Sequence, residues 1–121
     1  MARILIVDDS PTDTHVLKTM LERNGHVTIS MVDGEQGISA AATERPDLIL
    51  MDVVLPGISG FQATRQITKN PETASIPVII VTTKNQETDK IWGLRQGAKD
   101  YITKPVNEAE LLVKIKSALG G

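Results

Sequence analysis

Four apolar runs of this chain end in polar side chains that could share one reaction. Ile4-Leu5-Ile6-Val7 runs into Asp8-Asp9, and Leu48-Ile49-Leu50-Met51 runs into Asp52. Val78-Ile79-Ile80-Val81 ends in Thr82-Thr83, and Tyr101-Ile102-Thr103 ends in Lys104. If three of these carboxylates converge, they cannot all stay ionised unaided. Two like charges ~4 Å apart repel by about 4 kcal/mol at an effective dielectric near 20. The remedies are a raised pKa or a bound cation. Lys104 supplies one positive charge, which leaves −2 on the set of Asp8, Asp9 and Asp52, and a divalent ion removes that remainder. The donors are all oxygen, with no His or Cys interleaved, so the choice falls on Mg²⁺, Mn²⁺ or Ca²⁺ rather than zinc. Mg²⁺ fits best, with Mn²⁺ as a substitute, because a shallow site with few protein ligands leaves room for water and a phosphoryl oxygen.

Asp52, with a divalent cation and Lys104 beside it, is equipped as a nucleophile, and carboxylates do form aspartyl phosphates. The cation and the ammonium would neutralise the charge of an incoming phosphoryl group, which is how proteins mostly assist phosphoryl transfer. Thr82 offers a hydroxyl able to donate to a phosphoryl oxygen. Added charge and acceptor atoms could then draw Thr82 and the loop after it inward.

These residues can meet only if particular elements carry them. The four-residue run before Asp52 has no alternation, as expected of a strand buried on both faces of a parallel sheet. Arg3 to Val7 is the first strand. Ser10 caps a helix with Pro11 at its first position. His15, Val16, Leu17, Met20 and Leu21 form its apolar stripe, and Gly25 ends it in a left-handed conformation. His26 to Val32 alternates, as an edge strand would. Glu35 to Glu44 is an Ala-rich helix closed by Arg45-Pro46. Asp47 to Asp52 is the third strand. Val53 to Gly60 is a loop with a Pro56-Gly57 turn and Gly60 as a flexible point. Phe61 to Lys69 is a helix, Asn70 to Ile76 a polar connection, and Val78 to Val81 the fourth strand. Asn85 to Gln96 is a helix carrying Trp92, a residue for packing or for a partner surface. Ala98 to Thr103 is the fifth strand. Asn107, with Glu110 as its capping-box partner, starts a last helix whose stripe is Leu111, Leu112, Ile115 and Leu119. Gly120-Gly121 lets the end fray.

Strict alternation of five strands and five helices predicts an α/β fold, a doubly wound (βα)5 flavodoxin-like three-layer sandwich. Its parallel sheet takes the order 2-1-3-4-5. In that order the first and third strands are neighbours, so Asp8, Asp9 and Asp52 meet at the switch point. Residues 1–121 read as a single domain.

Composition narrows the function further. Net charge is −2 and aromatics are 2%, which argues against nucleic-acid binding through a basic stripe or stacked bases. With no cysteine, disulfides and thiol catalysis are excluded. No apolar run approaches the ~20 residues of a membrane span, and the N-terminal layout is not that of a signal peptide. A cytoplasmic protein without membrane insertion is expected.

At their spacings, Asp8-Asp9, Asp52, Thr82 and Lys104-Pro105 resemble the receiver domain of two-component response regulators, over the whole chain and as a stand-alone unit of the chemotaxis type. Phe61-Gln62-Ala63-Thr64-Arg65-Gln66, Val81-Thr82-Thr83-Lys84, Gln86-Glu87-Thr88-Asp89-Lys90 and Trp92-Gly93 are similar to a narrower group, the twitching-motility regulators of the type IV pilus chemosensory system. The resemblance implies a phosphoryl-accepting switch, phosphorylated on Asp52 by a histidine kinase, rather than a turnover enzyme. It implies Mg²⁺ on Asp9, Asp52 and the backbone carbonyl of Val54, with Asp8 acting largely through water. Lys104 would pair with the phosphoryl group, and Lys104-Pro105 would be a cis peptide. Thr82 would move as Tyr101 swings inward, changing the partners of the surface made by the fourth helix, fifth strand and fifth helix, where a downstream target binds. Val54 and Lys84 stand at two positions that tune hydrolysis of the aspartyl phosphate.

Three other functions are weighed against this. A phosphate sink draining a shared kinase would use the same residues. A flavin-binding module of the same architecture would need a hydroxyl- and glycine-rich phosphate loop where Asp8-Asp9-Ser10-Pro11 stands. An aspartyl phosphatase would need a second carboxylate two residues past Asp52, where Val54 stands.

Overall fold

The computed structural model describes residues 1–120, so the expected fraying at Gly121 lies outside the described residues. Strands and helices alternate in the order β1 (Arg3–Val7), α1 (Pro11–Glu22), β2 (Val27–Met31), α2 (Gly34–Glu44), β3 (Leu48–Met51), α3 (Gly60–Lys69), β4 (Val78–Thr82), α4 (Glu87–Arg95), β5 (Asp100–Thr103) and α5 (Glu108–Ala118). The sheet is wholly parallel in the order β2-β1-β3-β4-β5, as the alternation predicts.

The two-residue period of the strands divides their apolar runs between two faces. Ile4, Ile6, Leu48, Leu50, Ile79 and Val81 pack with Leu17 and Leu21 of α1 and with Leu111 and Ile115 of α5. Leu5, Val7, Ile49, Met51 and Val78 pack on the other side with Ala40 and Ala41 of α2 and with Ala63 and Ile67 of α3. Each central strand therefore needs apolar residues at every position, and Leu48, Ile49, Leu50 and Met51 are all buried. The edge strand β2 is only half-covered, and Val27 is exposed.

Local signals set most helix ends. Ser10 Oγ accepts from the Asp13 N–H, and Asn107 Oδ1 accepts from the Glu110 N–H. The reciprocal half of a capping box is not formed at Asn107 among the described residues; the Glu110 carboxylate faces Lys114, at 3.8 Å. Ser59 and Gln62 do form a full box at the start of α3.

Three further expectations are corrected. α4 begins at Glu87 rather than Asn85, because Asp89 Oδ2 accepts the Gln86 N–H and fixes the cap there. β5 begins at Asp100 rather than Ala98, because the Ala98 N–H turns back to the Gly93 carbonyl to close α4, and the Lys99 N–H is the first to reach β4, at Val78 O. Arg45 avoids helical angles before Pro46 and closes α2 as expected, in the left-handed region (φ 46°, ψ 60°). Gly60 is not a flexible point. It is buried in the first turn of α3, and a Cβ there would stand 1.8 Å from the Asp52 carbonyl oxygen. Only glycine lets α3 approach the end of β3 so closely.

Candidate functional site

Sheet hydrogen bonding places the candidate side chains. The Asp8 N–H donates to Met31 O of β2, the Asp52 N–H to Val7 O of β1, and the Lys104 N–H to Thr82 O of β4, at 3.0, 3.0 and 2.8 Å. Each residue just past a strand end is thus pinned to the neighbouring strand, and all three fall on the carboxyl edge of the sheet. Lys104-Pro105 is a cis peptide, as the resemblance implies.

Asp8, Asp9 and Asp52 converge there, each offering a carboxylate oxygen within 4.8 Å of the others. Asp8 and Asp52 are buried, whereas Asp9 is exposed. Lys104 Nζ reaches Asp8 Oδ2 at 2.8 Å, Asp52 Oδ2 at 2.9 Å and Asp13 Oδ2 at 2.8 Å. The other Asp52 oxygen, Oδ1, accepts the N–H groups of Val53 (2.7 Å) and Val54 (3.3 Å). Asp8 Oδ1 accepts the Ser10 N–H. The Asp52 carboxylate is therefore oriented from both sides.

The electrostatics follow from this crowding. Burial pushes the Asp8 carboxyl above its ordinary value, against the bonds from Lys104 and the Ser10 N–H that favour its ionised form. Burial alone would lower the Lys104 pKa, but its bonds to Asp13, Asp8 and Asp52 together hold the ammonium above the usual lysine range. Four carboxylates and one ammonium leave a surplus of negative charge, and the oxygen-only donors, one side open to water, fit a hard divalent cation. The donor set suits Mg²⁺.

Thr82 is fully buried at the end of β4, and its hydroxyl accepts a long bond from the Lys84 N–H (3.5 Å). Lys84 itself is exposed. Tyr101 already lies inside: it is 7% exposed, and its hydroxyl donates to Lys84 O at 2.7 Å. The phenol is pushed up to about 12 by burial and then by the charges of Asp89 and Asp52. It stays protonated and can keep donating. The Tyr101 ring is thus turned inward in this structure. Val54 directs its side chain to solvent beside Asp52, where it has no polar atom to orient a water. Ile91, Trp92 and Leu94 of α4 are exposed. His15 is exposed and His26 half-buried, with His26 Nδ1 accepting the Ala2 N–H.

One site residue is absent from the sequence reading. Asp13 lies in the first turn of α1, which begins at Pro11 after the extended Ser10 cap, so no helical spacing ties it to Asp8 or Asp9. An acidic residue in a first turn has an ordinary role beside the helix dipole, which hides any other.

Comparison with known proteins agrees with this geometry. Residues 4–116 match the family described as the response regulator receiver domain. The chain is 60% identical over 121 residues to Protein PilH of Pseudomonas aeruginosa PAO1, covering 100% of both chains. Among solved structures it is similar to the receiver domain of the sensor histidine kinase PA1611 from P. aeruginosa PAO1, a structure with a magnesium ion coordinated in the active site cleft. That match has 33% identity and a TM-score of 0.91, and covers 99% of this chain and 98% of the other. It is also similar to a CheY-like response regulator receiver domain protein from Methanospirillum hungatei JF-1, with 32% identity, a TM-score of 0.90, and coverage of 99% and 94%.

Proposed function

This chain belongs to the response regulator receiver domain family, and from that premise we propose that it is a phosphoryl-operated switch with Asp52 as the acceptor. The observation that carries this reading is the Lys104 ammonium held 2.9 Å from Asp52 Oδ2, beside an all-oxygen acidic cluster. Asp52 attacks the phosphorus of a histidine kinase's phosphohistidine. An O–P bond forms, the P–N bond breaks, and the imidazole leaves with the electron pair and takes up a proton. Asp9, Asp52 and the backbone carbonyl of Val54 hold Mg²⁺, with Asp8 acting through water, and Mn²⁺ substitutes for it. The bound cation supplies positive charge to the phosphoryl oxygens. Lys104 supplies the second positive charge, and the Thr82 hydroxyl moves to donate to the phosphoryl group.

In this sense the chain assists its own phosphorylation and dephosphorylation. Val54 cannot orient an attacking water by hydrogen bonding, and Lys84 can contact the phosphoryl group, so the aspartyl phosphate hydrolyses more slowly than in flagellar chemotaxis regulators, which carry a polar and an acidic side chain at these two positions. Loss of the label within seconds, with no phosphatase present, would count against that. The α4–β5–α5 surface, with Tyr101 behind it and Ile91, Trp92 and Leu94 exposed on α4, binds the downstream target. No helix among the described residues is long and apolar enough to cross a membrane, and we place the protein in the cytoplasm. The identity to PilH and the resemblance to twitching-motility regulators support a role in type IV pilus motility. The whole reading is tested by incubating the chain with acetyl phosphate, with and without Mg²⁺. The wild type should take up one phosphoryl group in a Mg²⁺-dependent manner and Asp52→Ala none; equal uptake by both proteins overturns it.

A further inference from the structure

Lys104 has three ammonium hydrogens and three carboxylate partners. Two partners, Asp8 and Asp52, belong to the acidic cluster at the sheet edge. The third, Asp13, lies 2.8 Å away in the first turn of α1, with its side chain 42% exposed, against 2% for Asp8 and 9% for Asp52. Helix capping does not account for this contact. Capping is met by the Asp13 N–H donating to Ser10 Oγ, and an acid that merely favours the helix dipole can point into water. Instead the carboxylate reaches a residue 91 positions further along the chain. Among the described residues it has no other side-chain partner.

An ammonium with all its hydrogens committed must release a partner before it can pair with a phosphoryl group. Asp8 and Asp52 carry the cation chemistry of the site. Asp13 stands outside the cation-binding set and faces Lys104 from the solvent side. From this we infer that Asp13 is a positioning residue for phosphoryl transfer at Asp52: it holds Lys104 through an ion pair and sets the charge that an arriving anionic donor meets. The inference rests on the acceptor reading of Asp52 given above.

The consequences have opposite signs. With Asp13 present, the four carboxylates and Lys104 carry −3, and a divalent cation brings the site to −1. Without the Asp13 charge the loaded site is neutral. A fourth carboxylate therefore draws the cation in and repels the anionic donor. It also competes with the phosphoryl group for Lys104, and it keeps part of the ammonium's pull off the oxygens that the cation needs. Both routes act in the same two directions. Asp13 and Asp52 touch one nitrogen, so their oxygens are roughly 6 Å apart at most. At that range, in a water-like dielectric suited to a half-exposed group, one charge changes the rate with an anionic donor by about threefold and divalent cation affinity by about tenfold.

The test uses the full chain as wild type, Asp13→Asn and Asp13→Glu. The Mg²⁺ dissociation constant is measured by calorimetry with Mg²⁺ alone. The initial rate of phosphoryl uptake from acetyl phosphate is measured by intact mass at saturating Mg²⁺. Asp13→Asn should bind Mg²⁺ about tenfold more weakly and take up the phosphoryl group about threefold faster, and Asp13→Glu should return both values toward the wild type. A loss in both quantities, as a distorted site would give, overturns the inference, and so does an Asn variant that moves neither. A wild type that takes up no phosphoryl group overturns the acceptor reading and this inference together, whereas a phosphorylated wild type beside an unmoved Asn variant overturns the inference alone.

Discussion

Lys104→Met keeps the apolar stem of the side chain out to Cε and deletes the ammonium with its charge. The ammonium it removes is buried to 10% exposure among Asp8, Asp52 and Asp13. Breaking a buried ion pair by removing one partner costs about 3–5 kcal/mol, because the other charge stays buried and unpaired. Here two carboxylates are left in that condition. Each pair in the cluster of Asp8, Asp9 and Asp52, with oxygens within 4.8 Å of one another, repels by about 3 kcal/mol at an effective dielectric of ~20. Asp9 is exposed and Asp13 half-exposed, so water screens one side and the loss falls near the low end, about 3 kcal/mol or roughly 10 °C in Tm for a chain of this length. The folded lysine pKa is raised, so its contribution is complete below the unfolded lysine value and present in full at pH 7. The Asp8 carboxyl is raised as well, so acidification protonates Asp8 and shrinks the gap between variant and wild type. The variant should also gain more from Mg²⁺ than the wild type does, because no ammonium competes for Asp8 and Asp52. Saturation at a hundredfold excess over Kd adds about 2.7 kcal/mol. Urea unfolding followed by far-ultraviolet circular dichroism, at pH 7 with and without Mg²⁺, measures both effects. A loss under ~1 kcal/mol, or a Mg²⁺ gain no larger than that of the wild type, would refute the charge balance drawn here.

Three further outcomes are expected. Gly60→Ala drives a Cβ to 1.8 Å from Asp52 O, so the end of β3 must shift; unfolding should show a loss above ~2 kcal/mol, and calorimetry a weaker Mg²⁺ isotherm. His26 is held below its ordinary pKa by burial and by the N-terminal charge, so the unfolded chain takes its proton first. Stability should therefore fall as pH drops from about 6.5 through the folded value, and comparing urea midpoints across that window with those of His26→Gln, which cannot titrate, should show a shallower fall in the variant. Tyr101→Phe removes the hydrogen bond to Lys84 O, which should cost about 1 kcal/mol of stability and speed hydrogen exchange in residues 84–86 relative to the wild type.

Runs such as Ile4–Val7 and Leu48–Met51 reveal their strands because a strand covered on both faces must be apolar at every position. The acidic cluster was legible for the same reason: strand order alone brings Asp8, Asp9 and Asp52 to one edge. Features that depend on the approach of two elements were hidden. Gly60 reads as a loop glycine until α3 is seen to pack against the Asp52 carbonyl. Ala98 has strand composition, but its N–H is captured by the end of α4. Asp13 reads as a helix-start acid, since nothing local tells that the first turn of α1 faces the end of β5. Tyr101 could be assigned to a strand, but its reach to Lys84 O depends on how the β4–α4 loop lies across it.

The central claim is that one carboxylate of the four around Lys104 accepts the phosphoryl group. Reaction with acetyl phosphate and Mg²⁺, reduction of the acyl phosphate with borohydride, and peptide mapping of the product identify that carboxylate directly. Reduction at Asp52 alone is the expected outcome. Reduction at Asp8, Asp9 or Asp13, or no reduced aspartate in a chain shown to be folded, would mean that the Lys104 cluster is not the acceptor site described above.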